Sequence, residues 1–427
     1  MTNLSTASQT RGTLLLAVGM MTCLILLINI SFKIIMIQGM LFTASSILCP
    51  LVAIIYLLVL KECTILQQRH VLNQSLLALY LFSIGIYLLV NLPAAEYMHD
   101  NLAYQIVFED IPKKFFASTL AFGLSFYLPH LLCCLKQKEI LLTPKKRLLL
   151  ATFGGFLFFT LDFFLLFSDP YVYNFKRIYF DSLMIAAGIL LSVGIIYLTC
   201  LLFLKRPLLP TNKPLPSYLE SPLYHYLVGF AVTIILICLA CEYRLISFPN
   251  GWTLTASGLL FPLALIASNL VGELYGYKAN LRLAVLLIVA ELTFDLLLIN
   301  LVALPSPEFF NLNPFYLFIM PRRIPAEALA VMVAFIDNAM LLEYLKKTTI
   351  GSSRFWRILI ANTIVNSLLC LVNYSLLFGG IYEPIFNLAI SAWSYKIASM
   401  LLSLPLVLWL YNLLSKKTYS QTLSQQG

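Results

Sequence analysis

The chain has 427 residues, 60% of them hydrophobic and only 11% charged, and its mean hydropathy is +0.89. So little charge excludes a water-solvated surface over most of the molecule. The formal net charge of +9 comes from 28 Lys and Arg against 19 Asp and Glu, and its distribution carries more meaning than its sum.

Apolar runs of about 20 residues, the length that crosses a hydrocarbon core, occur twelve times. They lie at 13–32, 41–60, 72–92, 115–135, 148–167, 182–204, 223–243, 254–272, 283–304, 326–345, 358–377 and 388–411. No water is available there to satisfy the backbone, so each run is expected to be a helix. The predicted fold is an all-α polytopic membrane protein of about twelve transmembrane helices. The first run is read as a span and not as a cleaved leader, because it lacks a small-x-small cleavage site and further spans follow at once.

With the N-terminus placed in the cytoplasm, 19 Lys and Arg fall in inside connections and 8 in outside ones, with Lys396 left inside the last run. That asymmetry is the positive-inside pattern. It predicts an inner-membrane protein with both termini cytoplasmic, and it explains the positive charge without a nucleic-acid partner. Nearly all of the nine cysteines sit in apolar runs, so a disulfide framework is not expected. Cys238 and Cys241 have C-x-x-C spacing but no second pair, and read as packing residues.

The chain repeats itself. Residues 39–62 laid on residues 251–274 agree at ten of 24 positions without a gap, including Thr43-Ala44-Ser45 on Thr255-Ala256-Ser257 and Pro50-Leu51 on Pro262-Leu263. A second anchor, one residue further in offset, sets Ile111-Pro112 on Ile324-Pro325 and Ala121-Phe122 on Ala334-Phe335. Two anchors in one order argue for duplication of a whole half. The expected organisation is a degenerate six-helix repeat at 1–204, a Pro-rich cytoplasmic linker at 205–222, and a second six-helix repeat at 223–427. Six is even, so the two repeats are parallel, related by an axis near the membrane normal.

The second half bears the polar residues. Asn269, Glu273, Glu291, Asp295, Glu327, Asp337, Asn338, Glu343, Asn362, Asn366, Asn373 and Lys396 lie in or at the ends of its runs. At matching offsets the first half has Leu57, Lys61, Leu79, Ser83, Leu124 and Ile185 in place of Asn269, Glu273, Glu291, Asp295, Asp337 and Lys396. A charge at bilayer depth costs roughly 2.5–3.5 kcal/mol on insertion scales, so such groups face a cavity or one another. Glu291 and Asp295 share a helix face, and Asn362, Asn366 and Asn373 form one stripe. Lys396 either pairs with an acid to hold helices together or lies on a substrate pathway.

The stretch at 258–278, GLLFPLALIASNLVGELYGYK, resembles the signature of the queuosine-precursor transporter family, also described as vitamin-uptake transporters, whose members usually have six spans. Phe261-Pro262, Glu273, Tyr275-Gly276 and Lys278 fit its pattern, and Lys396 followed by Pro405 resembles a later feature. The resemblance covers roughly residues 223–415. Two positions depart from it: Asn269 stands where the family has Asp, and Asn366-Ser367 where it has Asp before Thr or Ser. What the resemblance implies is uptake of a small planar heterocycle, a 7-deazaguanine base such as queuine or its cyano or aminomethyl forms. Carboxylates and Asn carbonyls suit its N–H edge, and an aromatic ring suits its face. Trp252, Tyr275 and Trp393 are candidate stacking residues, although Trp252 and Trp393 also suit an interface belt.

The expected substrate site is therefore Asn269, Glu273, Glu291, Asp295, Asp337, Asn362, Asn366 and Lys396. The loop 276–282 should act as a short turn eased by Gly276. No cofactor or metal is expected. A secondary carrier is the main reading. The alternatives are a substrate-binding subunit docked to an external ATPase module, or a membrane-embedded enzyme, against which stands the lack of H-E-x-x-H, G-x-G-x-x-G and G-x-x-x-x-G-K-[ST] motifs. The expected partners are the small molecule and the bilayer, with a homo-oligomer or an ATPase module as further options.

Overall fold

The computed structural model describes residues 3–93, 111–135, 143–167, 174–203, 217–242, 244–248, 252–308, 313–348, 353–379 and 385–426. Twelve helices among them are long and apolar enough to cross a membrane. In chain order, spans 1–6 are Gly12–Ile30, Ser45–Glu62, Ile65–Val90, Lys114–Cys133, Pro144–Leu166 and Phe175–Cys200. Spans 7–12 are Pro222–Ala240, Ala256–Leu274, Tyr277–Ala303, Pro321–Lys346, Arg354–Phe378 and Ile385–Ser415. Each coincides with one apolar run of the sequence, with ends moved by a turn or two. Most of the 205–222 linker lies outside the described residues; its last part forms a short 3-10 turn at Ser217–Glu220.

Two small ribbons interrupt the helices. Strands β1 (Ile34–Ile37) and β2 (Met40–Thr43) pair antiparallel before span 2, and β3 (Leu245–Ser247) pairs with β4 (Thr253–Thr255) before span 8. The runs at 41–60 and 254–272 thus begin as strand, not helix. The first ribbon turns through Gln38 and Gly39, both with positive φ, as a tight two-residue hairpin requires. Each ribbon ends in Thr-Ala-Ser. Thr255 caps span 8 by accepting from Gly258 N at 3.1 Å, and Ser257 Oγ donates to Thr255 Oγ1 at 3.0 Å. After the first ribbon, Thr43 Oγ1 and Ser45 Oγ lie 2.7 Å apart. A Cβ on Gly258 would meet Thr255 Oγ1 at 2.9 Å, so a bare α-carbon is needed beside this cap.

Pro50 sits inside span 2 and Pro262 inside span 8. Spans 4 and 10 each contain a π-helical turn, at Gly123–Tyr127 and Met332–Asp337. The turn between spans 8 and 9 is shorter than expected. Only Tyr275 and Gly276 separate the helices, and Tyr277 already begins span 9. Gly276 has φ +85°, a value that glycine adopts without steric cost.

Contacts divide the chain into two compact units. The first holds Met1–Tyr87, Asn101–His225 and Phe294–Phe318; the second holds Leu88–Asp100, Tyr226–Thr293 and Ile319–Gly427. The end of span 9 therefore belongs to the first unit and the end of span 3 to the second. Within the first, buried Lys33 donates from Nζ to Val302 O at 2.8 Å and Leu304 O at 3.0 Å, and Met36 N donates to Pro305 O. Within the second, buried Arg244 donates from Nη2 to Val90 O and Leu92 O, both at 2.6 Å, and Ser247 N donates to Pro93 O. In each case a cation at the mouth of a ribbon satisfies the carbonyls that a helix end leaves open.

The first unit has an aromatic core, in which Phe126 packs edge-on against Tyr56 and Phe158. A Cβ on Gly155 would come within 2.6 Å of Ala53 Cβ, the close helix approach that small residues permit in membranes. The second unit packs Leu377, Phe378, Leu388 and Ala392 in one cluster and Leu270, Leu342, Ile358 and Leu404 in another.

Arg244→Met should remove the charged donor from two buried carbonyls. The expected loss is about 1.5–3 kcal/mol per charge-assisted bond, read as a lowered unfolding midpoint in detergent. An unchanged midpoint would show that the cap contributes nothing.

Candidate functional site

Lys396 lies in span 12 with 3% of its surface exposed. Among the described residues no ion pair joins it to a carboxylate. Its ammonium instead lies 5.0 Å from the ring centre of Phe261 and 5.6 Å from that of Tyr374. Cation–π contact of this kind offsets part of the cost of a desolvated charge. The position is fixed from outside: Pro262 leaves the Gly258 carbonyl without its helical donor, and Cys238 Sγ and Tyr395 Oη hold the neighbouring carbonyls of Ser257 and Leu259.

Two small cavities meet at Lys396. One, of about 20 Å³, is lined by Glu242, Ser257, Phe261, Glu327, Asn373, Tyr374 and Lys396. The other, of about 10 Å³, is lined by Pro262, Asn269, Asn362, Asn366, Lys396 and Ser403 among others. Three spans pass both cavities in a consistent order. Along span 8, Ser257 and Phe261 face the first and Pro262 and Asn269 the second. Along the antiparallel span 11, Asn362 and Asn366 face the second and Asn373 the first. The cavities are therefore stacked along the spans, with Lys396 between them. A cavity needs about 10–15 Å³ to hold one water, so neither has room for more than about one water.

Glu242 follows span 7 and is 4% exposed. Burial pushes its carboxyl above the usual carboxylate range, against the opposing effects of Ser257, Lys396, Arg323 and Asn373. Ser257 Oγ, which bonds Thr255 Oγ1, is also hydrogen-bonded to the Glu242 carboxyl. Thr255 Oγ1 in turn lies 3.1 Å from the Tyr374 hydroxyl. A buried relay of hydroxyls thus runs from Glu242 to the ring beside Lys396.

The remaining residues expected at the site fall in three places. Asn269 Oδ1 accepts from Asn338 Nδ2 at 3.1 Å, which ties span 8 to the helix that follows the π turn. Glu273 lies away from both cavities, in a two-pronged ion pair with Arg357: Nε to Oε1 at 3.0 Å and Nη2 to Oε2 at 2.6 Å. Arg354 joins at 3.8 Å while its guanidinium stacks on Tyr411. Glu291 and Asp295 are fully buried in span 9 and line neither cavity; Asp337 is half-buried at the end of the π turn. Tyr275 and Gly276 form the turn beside Glu273, and exposed Lys278 lies in the first turn of span 9. Trp252 and Trp393, expected as stacking residues, are partly exposed and line neither cavity; the rings at the ammonium are those of Phe261 and Tyr374.

Sequence reasoning missed Glu242, an acid at the very end of the apolar run 223–243, and Tyr374, because a tyrosine inside such a run reads as packing. The signal for Glu242 was an acid one helical turn after Cys238 and immediately after Cys241.

Residues 255–410 match a family model described as "Putative vitamin uptake transporter". The match covers a little over a third of the chain and includes Phe261, Asn269, Asn362, Asn366, Tyr374 and Lys396, whereas Glu242 lies outside it. No curated protein and no solved structure matches the chain. Together with the twelve apolar spans, the match supports a membrane transporter.

The two buried cations should respond oppositely to removal. Arg357→Met leaves the Glu273 carboxylate buried without its partner, at a cost of about 3–5 kcal/mol. Lys396→Met deletes a buried charge that no ion pair holds, and should leave the unfolding midpoint unchanged or raised. Equal destabilisation by both would make Lys396 a structural clamp.

Proposed function

We propose that the chain is a secondary carrier that imports a small planar heterocycle of the 7-deazaguanine class, a queuosine precursor, across the inner membrane, with both termini cytoplasmic. The observation that supports this most is Lys396: a buried ammonium on two aromatic faces, placed where two small cavities meet. The structural cations of this chain are held by a carboxylate, as Arg357 is, or by backbone carbonyls, as Lys33 and Arg244 are. A cation held on ring faces can bind an incoming carbonyl or ring nitrogen without first breaking a salt bridge.

The surrounding groups fit such a ligand. The carboxamides of Asn269, Asn362, Asn366 and Asn373 offer both donors and acceptors, and Glu327 and Glu242 offer acceptors to ring N–H groups. Phe261 or Tyr374 can stack on the ring, an interaction of about 1–3 kcal/mol per base. Entry requires the spans to part at one end. At one end of the column lie the Thr255, Ser257 and Tyr374 hydroxyls; at the other the Glu273–Arg357–Arg354 cluster joins spans 8 and 11. Opening one end at a time exposes Lys396 alternately, the behaviour a carrier needs.

The reading extends to the organisation of the chain, as a duplicated six-span unit, 1–204 and 223–427, in which the second copy keeps the site. Its support is the same order of features in both halves: a span, a ribbon ending in Thr-Ala-Ser, a span with an internal proline, a span, a span with a π turn, then two more spans. The reciprocal caps by Lys33 and Arg244 add to it.

Cells that lack their own precursor synthesis and uptake, expressing this chain, should accumulate labelled queuine or its cyano precursor. Lys396→Met should cut accumulation at least tenfold at equal protein level. Undiminished accumulation would remove Lys396 from the pathway, and absence of accumulation by the wild type would overturn the substrate class. Dependence on ATP where no ion gradient is present would favour an ATPase-coupled subunit.

Proton coupling, on this reading, runs through Glu242. It faces Arg323 on span 10, Lys396 on span 12, Glu327 and Tyr374 across the cavity, and Cys238 and Cys241 on its own segment. Because burial raises its pKa, Glu242 still carries a proton at a pH where an ordinary carboxyl is ionised. Uptake should therefore fall as the pH rises through that shifted value. Glu242→Gln, permanently neutral, should flatten the profile and abolish accumulation against a gradient while sparing exchange of labelled for unlabelled substrate. An unaltered pH profile in the variant would dismiss the role.

A further inference from the structure

We propose that the cleft between the first turns of span 3 and the start of span 7 binds a phospholipid headgroup that joins a phosphate to an ammonium, as in phosphatidylethanolamine. The cleft has a volume of about 480 Å³, within the 300–1,000 Å³ typical of ligand sites and far larger than either cavity at Lys396. It lies wholly within the first contact unit and outside the region that matches the transporter family, so the transport reading does not account for it.

Its depth in the membrane follows from the order of the spans. Spans 1, 3 and 7 are odd-numbered, so all begin at one face of the bilayer. The cleft is lined by Thr13 from the start of span 1, by residues 66–73 from the start of span 3, and by Pro222 and His225 from the start of span 7. It therefore opens at the level of the lipid headgroups. Leu66, at its rim, is 79% exposed, and Leu219 and Pro222 add an apolar surface that suits the glycerol and the first acyl carbons.

The polar groups are held in place. Thr64 and Gln67 form a reciprocal cap on span 3: Thr64 N donates to Gln67 Oε1 at 3.0 Å and Gln67 N to Thr64 Oγ1 at 3.4 Å. That cap uses the oxygen of the Gln67 amide and leaves its nitrogen as a donor. Tyr127 Oη donates to Asn73 Oδ1 at 2.9 Å, which again leaves the amide nitrogen to donate. The rings of His70 and His225 lie 5.2 Å apart, and His225 Nε2 is fixed on Leu219 O at 2.9 Å. Arg69, exposed on the same wall, supplies a planar guanidinium that matches a phosphate.

Charge selects the kind of headgroup. Donors and a guanidinium favour a phosphate, as basic pockets between membrane helices do. Glu220 is the acid of the cleft, across from span 3. A purely anionic headgroup would leave that carboxylate opposed, while a headgroup ending in an ammonium with N–H donors gives it a partner. Choline, which has no N–H, cannot donate to it. Solvated surface charge is the ordinary reading of Arg69 and Glu220 taken singly; one base, one acid and two fixed amide donors around a single cleft at headgroup depth are what distinguish this place.

Native mass spectrometry of the full chain, purified in detergent and titrated with defined lipids, tests the site. Phosphatidylethanolamine should be retained at least tenfold more than phosphatidylcholine. Arg69→Gln should lower binding of phosphatidylethanolamine and phosphatidylglycerol alike; Glu220→Gln should lower phosphatidylethanolamine only. Both side chains are exposed, and an unchanged unfolding midpoint will show that the variants fold. Equal retention of all three lipids, or no effect of Arg69→Gln, would sink the proposal. Soluble glycerophosphoethanolamine binding as tightly as the lipid would overturn the membrane source of the ligand.

Discussion

A buried ammonium that no carboxylate pairs with among the described residues is the constraint around which the second half is arranged. Lys396 sits where insertion scales set a cost of roughly 2.5–3.5 kcal/mol, and the chain meets that cost by distribution. Two aromatic faces, four asparagine side chains and two acids at a remove share the charge. Counting Glu242 and Glu327 against Lys396 and Arg323, the cluster is neutral when all four are ionised. One proton on Glu242 makes it a net cation, so that a single protonation changes the field felt by a ligand at Lys396. A direct salt bridge would have neutralised the lysine permanently and taken it out of use.

The contrast with Glu273 makes the same point from the other side. Its carboxylate is 5% exposed and held by two prongs of Arg357, geometry in which breaking the pair leaves a stranded charge. Such a pair fixes the ends of spans 8 and 11 together. Two neighbouring buried charges thus divide the labour, one committed to holding helices and the other left available.

Much of the fold was legible because hydrocarbon thickness and backbone satisfaction allow little freedom: twelve apolar runs became twelve spans. What apolar content could not reveal was the ribbon ahead of spans 2 and 8, since Met40–Thr43 is as apolar as the helix it precedes and Thr253–Thr255 is too short to stand apart from the run it begins. The cap formed by Thr255, not hydropathy, decides where the helix begins. The π turns were illegible for a similar reason, being changes in hydrogen bonding with no compositional mark. At the site, the spacing of Asn362, Asn366 and Asn373 gave their shared face correctly. It could not tell that Glu291 and Asp295, equally well patterned, are buried away from the cavities. Spacing reports which face a residue shares, and says nothing of what that face meets.

The paired features of the two halves bear on why one half could lose its polar residues. Lys33 and Arg244 perform the same task at equivalent positions, and the proline, the Thr-Ala-Ser and the π turn recur in order. These serve the backbone, whose groups must be satisfied in the bilayer whether or not a ligand binds. Asn269, Asp337 and Lys396 serve no such need and are replaced in the first half by Leu57, Leu124 and Ile185. On the duplication reading, the elements that survive in both copies are those the membrane demands, and the elements found once are those a substrate demands. The glutamate, tyrosine and glycine that end span 8 fall between the classes. Gly276 is required by its positive φ and Glu273 by Arg357, so that ending belongs to the closure of the pathway and not to the pocket itself.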